Sequence, residues 1–333
     1  MSAKPRGLLV SARFLGRHGA ALEAAARSGG LALERIIVPD DPEARIEASD
    51  CARIELAYFS GDLFPERSRA FFAAAFAAPN LRWLQVFNAG VDHPVFQRFV
   101  AKSVRLTTAA GSSAEPIAQT AIAGMLMLAR GFPHWLDAQR RGVWEPLPET
   151  CVPADLRGQT LLVFGLGEIG REIARLARAF GLHVIGVRRS PAATDDPVDE
   201  LHPPARMREL LPRADWLAIA CALTDETRGA IDADALARLP RGARVLNVAR
   251  GGVIDEPALV ESLREGRLAG AYLDVFAEEP LPAASPLWAL PNVIVTPHNS
   301  SASRGNERRQ AEVFLRNLVR YGRGEPLENV VRA

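Results

Sequence analysis

Between positions 160 and 171 an apolar run, Leu161, Leu162, Val163 and Phe164, gives way at once to Gly165, Leu166, Gly167, Glu168, Ile169 and Gly170. The pattern predicts a buried strand that turns straight into a helix. The three glycines permit a tight turn, a close approach of backbone N–H groups to a pyrophosphate and tight packing of helix on strand, while the helix N-terminus adds partial positive charge. A side chain at any of them would obstruct one of those jobs. The flanking sequence agrees: residues 172–180 read as an amphipathic helix with Ile173, Leu176, Ala177 and Phe180 on one face, Gly181 ends it, and residues 183–187 form a second apolar strand. This is the βαβ opening of a dinucleotide-binding domain, with residues 165 to 170 expected at the cofactor.

The same alternation runs through the rest of the chain. Ahead of the glycine loop, residues 7–11, 31–38, 54–59, 81–87 and 104–108 read as strands, with helices at 19–28 and 65–77. Beyond it, strands at 216–220, 244–248, 270–274 and 293–296 alternate with helices near 207–211, 234–238 and 256–265. The absence of hairpin signals predicts parallel sheets. A long helix starts after Gly111, Ser112 and Ser113, runs almost uniformly apolar through 117–129, breaks near Gly131 and Pro133, and resumes at 135–141. A helix apolar on most faces must be buried on most faces, either in a core or between two domains or subunits. Residues 304–321 read as an amphipathic helix, followed by a tail, 326–331, that can return to the first unit. With 333 residues and 48% hydrophobic content the chain can build two well-cored domains.

Composition removes several function classes. A formal net charge of +1 offers no global field towards nucleic acid or anionic membrane, and no apolar run approaches the ~18 residues needed to span a bilayer. Neither is expected as a partner. Lys4 and Lys102 are the only lysines, which argues against Schiff-base chemistry. No GxxxxGK[ST] loop, GxSxG elbow or HExxH helix is present. Cys51, Cys151 and Cys221 are too widely spaced for a disulfide framework or a CxxC metal motif. Reduced thiols, no metal and a cytoplasmic location are the expectation.

What remains is cofactor chemistry at strand ends. Three successive predicted strands finish near Arg250, Asp274 and His298, and open parallel sheets place ligands at their C-terminal edge. A nicotinamide enzyme acting on an alcohol or ketone needs an acid/base at the oxygen, a cation for the substrate's charge and a group to orient the imidazole. His298 suits the first role, because unperturbed imidazole titrates near pH ~6.5 and can both take and return a proton. Glu279 would orient it and favour imidazolium. Arg250, followed by Gly251 and Gly252, offers a planar fork matched to a carboxylate.

These residues resemble the D-2-hydroxyacid dehydrogenase family. The run Asn247, Val248, Ala249, Arg250, Gly251, Gly252 is similar to its arginine motif, Leu273 through Pro280 (LDVFAEEP) to its aspartate and glutamate motif, and Thr296, Pro297, His298 to its histidine motif. The resemblance covers residues 81–296 well and the N-terminal region only in pattern. It implies that Arg250 binds the substrate's carboxylate and carbonyl, that Glu279 rather than Glu278 pairs with the acid/base His298, and that Asp274 contacts the nicotinamide carboxamide. Ala89, Gly90 and Val91 resemble the loop whose backbone N–H groups hold the substrate carboxylate, with His93 close behind. The implied architecture is α/β: a Rossmann-type doubly wound nucleotide domain, 106–299, inserted in a smaller flavodoxin-like substrate domain, 1–105 and 300–333. A homodimer formed around the long helix is the family expectation, as is a small 2-oxo or 2-hydroxy acid as substrate.

Two departures matter. Where the family often carries an acidic residue for the adenosine ribose, this chain reads Val187, Arg188, Arg189, Ser190. Two guanidiniums and a hydroxyl would bind a 2′-phosphate that a carboxylate would repel, which predicts NADP(H) over NAD(H). The alternative is a pair of solvated arginines beside Asp195, Asp196 and Asp199. Gln119 stands where the family commonly has glutamate, and a packing role is expected for it. The function expected is therefore an NADPH-preferring reductase of glyoxylate, hydroxypyruvate or a related 2-oxo acid. A nucleotide-sensing binding protein like the family's corepressors, or a formate- or phosphite-type dehydrogenase, is the alternative.

Overall fold

Strand β1 (Arg6–Ser11) passes directly into helix α1 (Ala12–Ser28) because Ser11 serves both: its hydroxyl caps the helix by accepting from the Phe14 N–H at 3.0 Å. The helix thus begins well before position 19, where its alanine-rich part had been expected. The chain continues through β2 (Leu33–Val38), α2 (Ala48–Cys51), β3 (Ile54–Phe59), α3 (Ser68–Ala77), β4 (Trp83–Val86), α4 (Pro94–Ala101) and β5 (Arg105–Thr107). The strands form one parallel sheet in the order β2-β1-β3-β4-β5, the flavodoxin-like order. Helix α4 was not anticipated. His93 caps it through Nδ1, which accepts from the Val95 N–H at 3.2 Å, and Pro94 occupies its first turn.

The computed structural model describes residues 5–91, 93–149, 152–191 and 195–331; Cys151 lies outside them. By its contacts the chain divides into one unit of Met1–Ser113 with Ser303–Ala333 and another of Ala114–Ala302. The first unit is closed by its C-terminal helix (Asn306–Arg323), whose Phe314 stacks on Tyr58 with centroids 4.2 Å apart. Asn317 of that helix is fully buried and satisfied: its amide donates to Gln85 Oε1 and to the Glu328 carbonyl, and its oxygen accepts from the Glu328 N–H. The tail then pairs antiparallel with β5, Val330 opposite Thr107.

The second unit opens with α5 (Ala114–Ala129) and α6 (Phe132–Arg141). Ala118, Ala121, Ile122 and Met125 of α5 join the core beneath the second sheet. Gly124 allows this approach, since a Cβ there would lie 2.4 Å from the Tyr272 ring. Gln119, by contrast, is exposed and donates to Glu115. There follow β6 (Thr160–Phe164), α7 (Glu168–Ala179), β7 (His183–Val187), β8 (Glu200–His202), α8 (Met207–Leu210), β9 (Trp216–Ile219), α9 (Ala233–Arg238), β10 (Arg244–Asn247), α10 (Glu256–Arg264), β11 (Gly270–Leu273) and β12 (Val293–Val295), before the C-terminal helix, α11. The parallel sheet runs β12-β11-β10-β9-β6-β7-β8. Counted from β6 this is the doubly wound 3-2-1-4-5-6 order with one strand added. The short strand β8 was not foreseen, for it has no apolar run. Glu200 secures it by accepting from Arg213, His183 and His202, and those bonds hold its carboxyl well below the usual carboxylate range.

Candidate active site

Strands β6 and β9 are neighbours whose connections leave in opposite directions, so a crevice opens at their C-terminal ends. The three glycines there do three different things. Gly165 has φ +102°, and a Cβ on it would meet the Cys221 N at 2.4 Å; one on Gly170 would meet the Gly165 carbonyl oxygen at 2.0 Å. Gly167 would meet nothing within 4 Å. Two glycines therefore let helix and strands close together, and the third leaves open space in front of the helix N-terminus, the arrangement a pyrophosphate requires. Glu168 and Ile169 belong to the first turn of α7, while the Leu166 side chain is buried in the core. The cleft measures about 710 Å³ and is lined by Gly165 to Gly167 on one side and Arg188, Arg189 and Ser190 on another. Burial pushes the Cys221 thiol in its wall up to about 12, which removes it as a nucleophile at neutral pH.

The two arginines are not equivalent. Arg188 is bound bidentately by Asp196, with Nη1 at 2.8 Å and Nη2 at 2.7 Å from the carboxylate oxygens, whereas Arg189 and Ser190 are exposed. Arg188 is thus held by a carboxylate and is not a solvated side chain.

Three further strand ends supply reactive groups. At the end of β10, the fully buried Asn247 shapes the turn that follows: its oxygen accepts from the Ala249 N–H and its amide donates to the Arg250 carbonyl. Arg250 follows, and Nη1 donates to the Ala249 carbonyl at 2.7 Å. Gly251 is required next, because a Cβ there would lie 1.9 Å from the Phe276 carbonyl carbon. The arginine turn is thus seated against the segment that follows β11. In that segment the Phe276 N–H donates to Glu279 Oε1 at 3.0 Å, and the Ala277 N–H donates to Glu256. Glu279 Oε2 lies 2.6 Å from His298 Nδ1. With Nδ1–H donated to the carboxylate, Nε2 is the ring atom left to exchange a proton with a ligand.

His298 itself has φ +50°, a left-handed conformation that a non-glycine residue adopts only when its surroundings hold it there. Asp274 does the holding. Its carbonyl accepts from the His298 N–H at 2.8 Å, and its buried carboxylate accepts from Thr296 Oγ1 at 2.6 Å, the Asn299 N–H at 2.9 Å, and both the N–H and the hydroxyl of Ser300. Tyr272 lies 2.8 Å from the Thr296 hydroxyl, and Thr120 of α5 donates to the Ser300 carbonyl. Apart from Thr296, which the histidine motif contains, this shell was not read from the sequence, where isolated Thr, Ser and Tyr residues carry no periodic signal.

In the other unit, Asn88, Ala89, Gly90 and Val91 follow β4. Among the described residues no acceptor is recorded for the N–H groups of Ala89, Gly90 and Val91, and the Asn88 side-chain oxygen is buried without a donor. His93 is occupied as the α4 cap. Among the described residues no group of three His, Cys, Asp or Glu is placed to hold a metal ion, and no helix is long and apolar enough to cross a membrane.

Residues 122–300 match the model of the D-isomer specific 2-hydroxyacid dehydrogenase NAD-binding domain. The chain is 34% identical over 260 residues to a glyoxylate reductase of Korarchaeum cryptofilum, covering 77% of each. It is also 34% identical to a D-3-phosphoglycerate dehydrogenase of Methanocaldococcus jannaschii, covering 76% of this chain and 48% of that protein. Among solved structures, a D-isomer specific 2-hydroxyacid dehydrogenase from Xanthobacter autotrophicus Py2, crystallised with NADPH and MES, superposes with a TM-score of 0.76 at 32% identity over 99% of this chain and 98% of that one. One from Aeromonas salmonicida gives 0.78 at 30% identity over 99% of both.

Proposed function

The chain belongs to the D-isomer specific 2-hydroxyacid dehydrogenase family, an NAD(P)-dependent oxidoreductase family, and we propose that it reduces a small 2-oxo acid, glyoxylate or hydroxypyruvate being the leading cases, to the D-2-hydroxy acid with NADPH preferred over NADH. The observation that carries this reading is the pairing of His298 Nδ1 with Glu279 at 2.6 Å beside the arginine turn of residues 249–251. The glycine loop, whose Gly167 leaves the helix N-terminus open, would hold the dinucleotide's pyrophosphate, and the exposed Arg189 and Ser190 would meet the adenosine end. The bound cofactor supplies the hydride.

The chain's own residues do the rest. The Arg250 fork matches a carboxylate bidentately, and in the other unit the N–H groups of Ala89, Gly90 and Val91 are donors of the kind a carboxylate accepts. His298 Nε2 gives its proton to the substrate oxygen as negative charge develops there, while Glu279 fixes the ring and balances the imidazolium. Purified protein mixed with glyoxylate or hydroxypyruvate, separately with NADPH and NADH, should oxidise NADPH faster, read from the near-ultraviolet absorbance of the reduced nicotinamide. Faster turnover with NADH would sink the cofactor preference alone; no turnover with either substrate would sink the glyoxylate and hydroxypyruvate assignment.

The same reading includes a homodimer built on α5 and α6. Its support is apolar exposure on α6 and in the loop just after it: Phe132 is 42% exposed, Trp135 39% and Trp144, beyond the helix, 96%, a density that water alone does not favour. Sedimentation at micromolar concentration should give twice the chain mass, and the double variant Trp135→Glu/Trp144→Glu should sediment as a monomer. A monomeric wild type would end the idea.

A further inference from the structure

The chain passes between its two units twice, at Ser113–Ala114 and at Ala302–Ser303. On the side of the first unit both crossovers are held by residues that come after the second. Asn329 in the tail, at φ +54°, seats the first crossover: its carbonyl accepts from the Thr108 N–H at 3.1 Å, and its amide donates to the Thr108 and Ala110 carbonyls at 3.3 and 2.9 Å. Arg309 on α11 reaches both crossovers at once. Its Nε donates to the Ser112 carbonyl at 2.6 Å, and its Nη2 donates to Asn306 Oδ1 at 2.7 Å and to the Ser303 hydroxyl at 3.4 Å. Gly305 leaves room for this, since a Cβ there would lie 2.5 Å from Arg309 Nη1. A planar fork with donors on two edges suits such a bridge, because it fixes its acceptors in direction as well as in distance.

We propose that Arg309 is a positioning residue, which staples the two crossovers into one pivot and so shields the turn that carries His298. That turn runs directly into the second crossover. Only Ser301 and Ala302 stand between the crossing and Ser300, whose N–H and hydroxyl bind Asp274. A second crossover bending on its own would pull on those bonds, whereas one tied to the first transmits only the motion that both share. Two independent linkers also leave more backbone arrangements open than a tied pair, and each productive alignment then costs more conformational entropy. The consequence for turnover rests on the reductase reading above; the staple itself does not.

Two substitutions in the full chain test this. R309Q removes the fork, while G305A keeps the arginine and fills its seat; at φ −77° the backbone of position 305 accepts alanine without strain. Hydrogen exchange needs no turnover. In both variants the amide of Ser112 in the first crossover and that of Asn306 in the second should exchange faster than in the wild type, the Ser300 amide should follow them, and those of β1 and β6 should not change. In steady-state kinetics with NADPH and glyoxylate or hydroxypyruvate, kcat should fall roughly ten- to a hundredfold and substrate KM should shift with it, as hinge substitutions do. The pH profile should keep its wild-type midpoint, because His298 and Glu279 are untouched. If only the Asn306 amide responds, Arg309 bridges nothing; if the Ser300 amide or kcat stays at the wild-type value, the staple does not position the turn. Either result overturns the proposal. A wild type without turnover removes the reductase reading and leaves the three amides to decide the staple, and G305A decides it if R309Q fails to fold.

Discussion

Replacing His298 by asparagine is expected to lower kcat for 2-oxo acid reduction about 10³-fold, inside the 10²–10⁴ range that a positioned general acid contributes. Cofactor affinity and melting temperature should stay close to wild type. Asparagine is the right replacement because of the backbone: at φ +50° alanine would be strained, whereas asparagine visits the left-handed region readily. The turn therefore survives and only the proton donor goes. Glu279→Gln is the graded companion. Its amide oxygen can still accept from Nδ1–H, which keeps the ring oriented, but its NH2 then faces the Phe276 N–H and the negative charge opposite the imidazolium is lost. A fall of about 10 to 100-fold follows from weakening the acid without removing it. Steady-state kinetics with separate fits of kcat and cofactor KM checks both, and a His298→Asn enzyme turning over within tenfold of wild type removes His298 as the acid.

How far this site could be read beforehand depended on whether its signals are local. The glycine loop, the arginine turn and the strand-end histidine each combine an apolar run with a neighbouring polar residue, so spacing alone locates them. Both sheets were legible because buried parallel strands are continuous apolar runs. Strand β8 was not, since Glu200, Leu201 and His202 contain no such run and are held by ion pairs from β7 and from Arg213. The start of α1 was hidden because Ser11 ends a strand and caps a helix at once. Arg188 and Arg189 look alike in sequence. What separates them is Asp196, eight positions on, returning to one and not the other. The role of Asp274 was masked in the same way, because the donors that converge on it come from 22 to 26 residues further along the chain.

That convergence makes Asp274→Ala the substitution with the largest expected effect on stability. An ionised carboxylate offers about four acceptor sites, and here they take the Thr296 hydroxyl, the Asn299 N–H, and the N–H and hydroxyl of Ser300. Alanine strands those donors, at least two of them buried, and an unsatisfied buried donor costs about 1–3 kcal/mol, so unfolding free energy should drop by about 3–5 kcal/mol. Denaturant unfolding measures it. Activity should fall as well, since the turn that holds His298 in its left-handed conformation loses its anchor. A direct contact between Asp274 and the nicotinamide carboxamide would have to share a carboxylate already engaged by the turn, and the two roles leave different kinetic signatures. If Asp274 works through the turn, Thr296→Val, which removes one hydroxyl from the anchor, lowers kcat in the same direction with cofactor KM unchanged, and Thr296→Ser restores it. If Asp274 works on the carboxamide, Asp274→Asn raises cofactor KM and Thr296→Val leaves kcat at the wild-type value. A silent Thr296→Val would therefore assign the carboxylate to the cofactor and leave the conformation of His298 to the backbone bonds that its N–H makes with the carbonyls of Asp274 and Thr296.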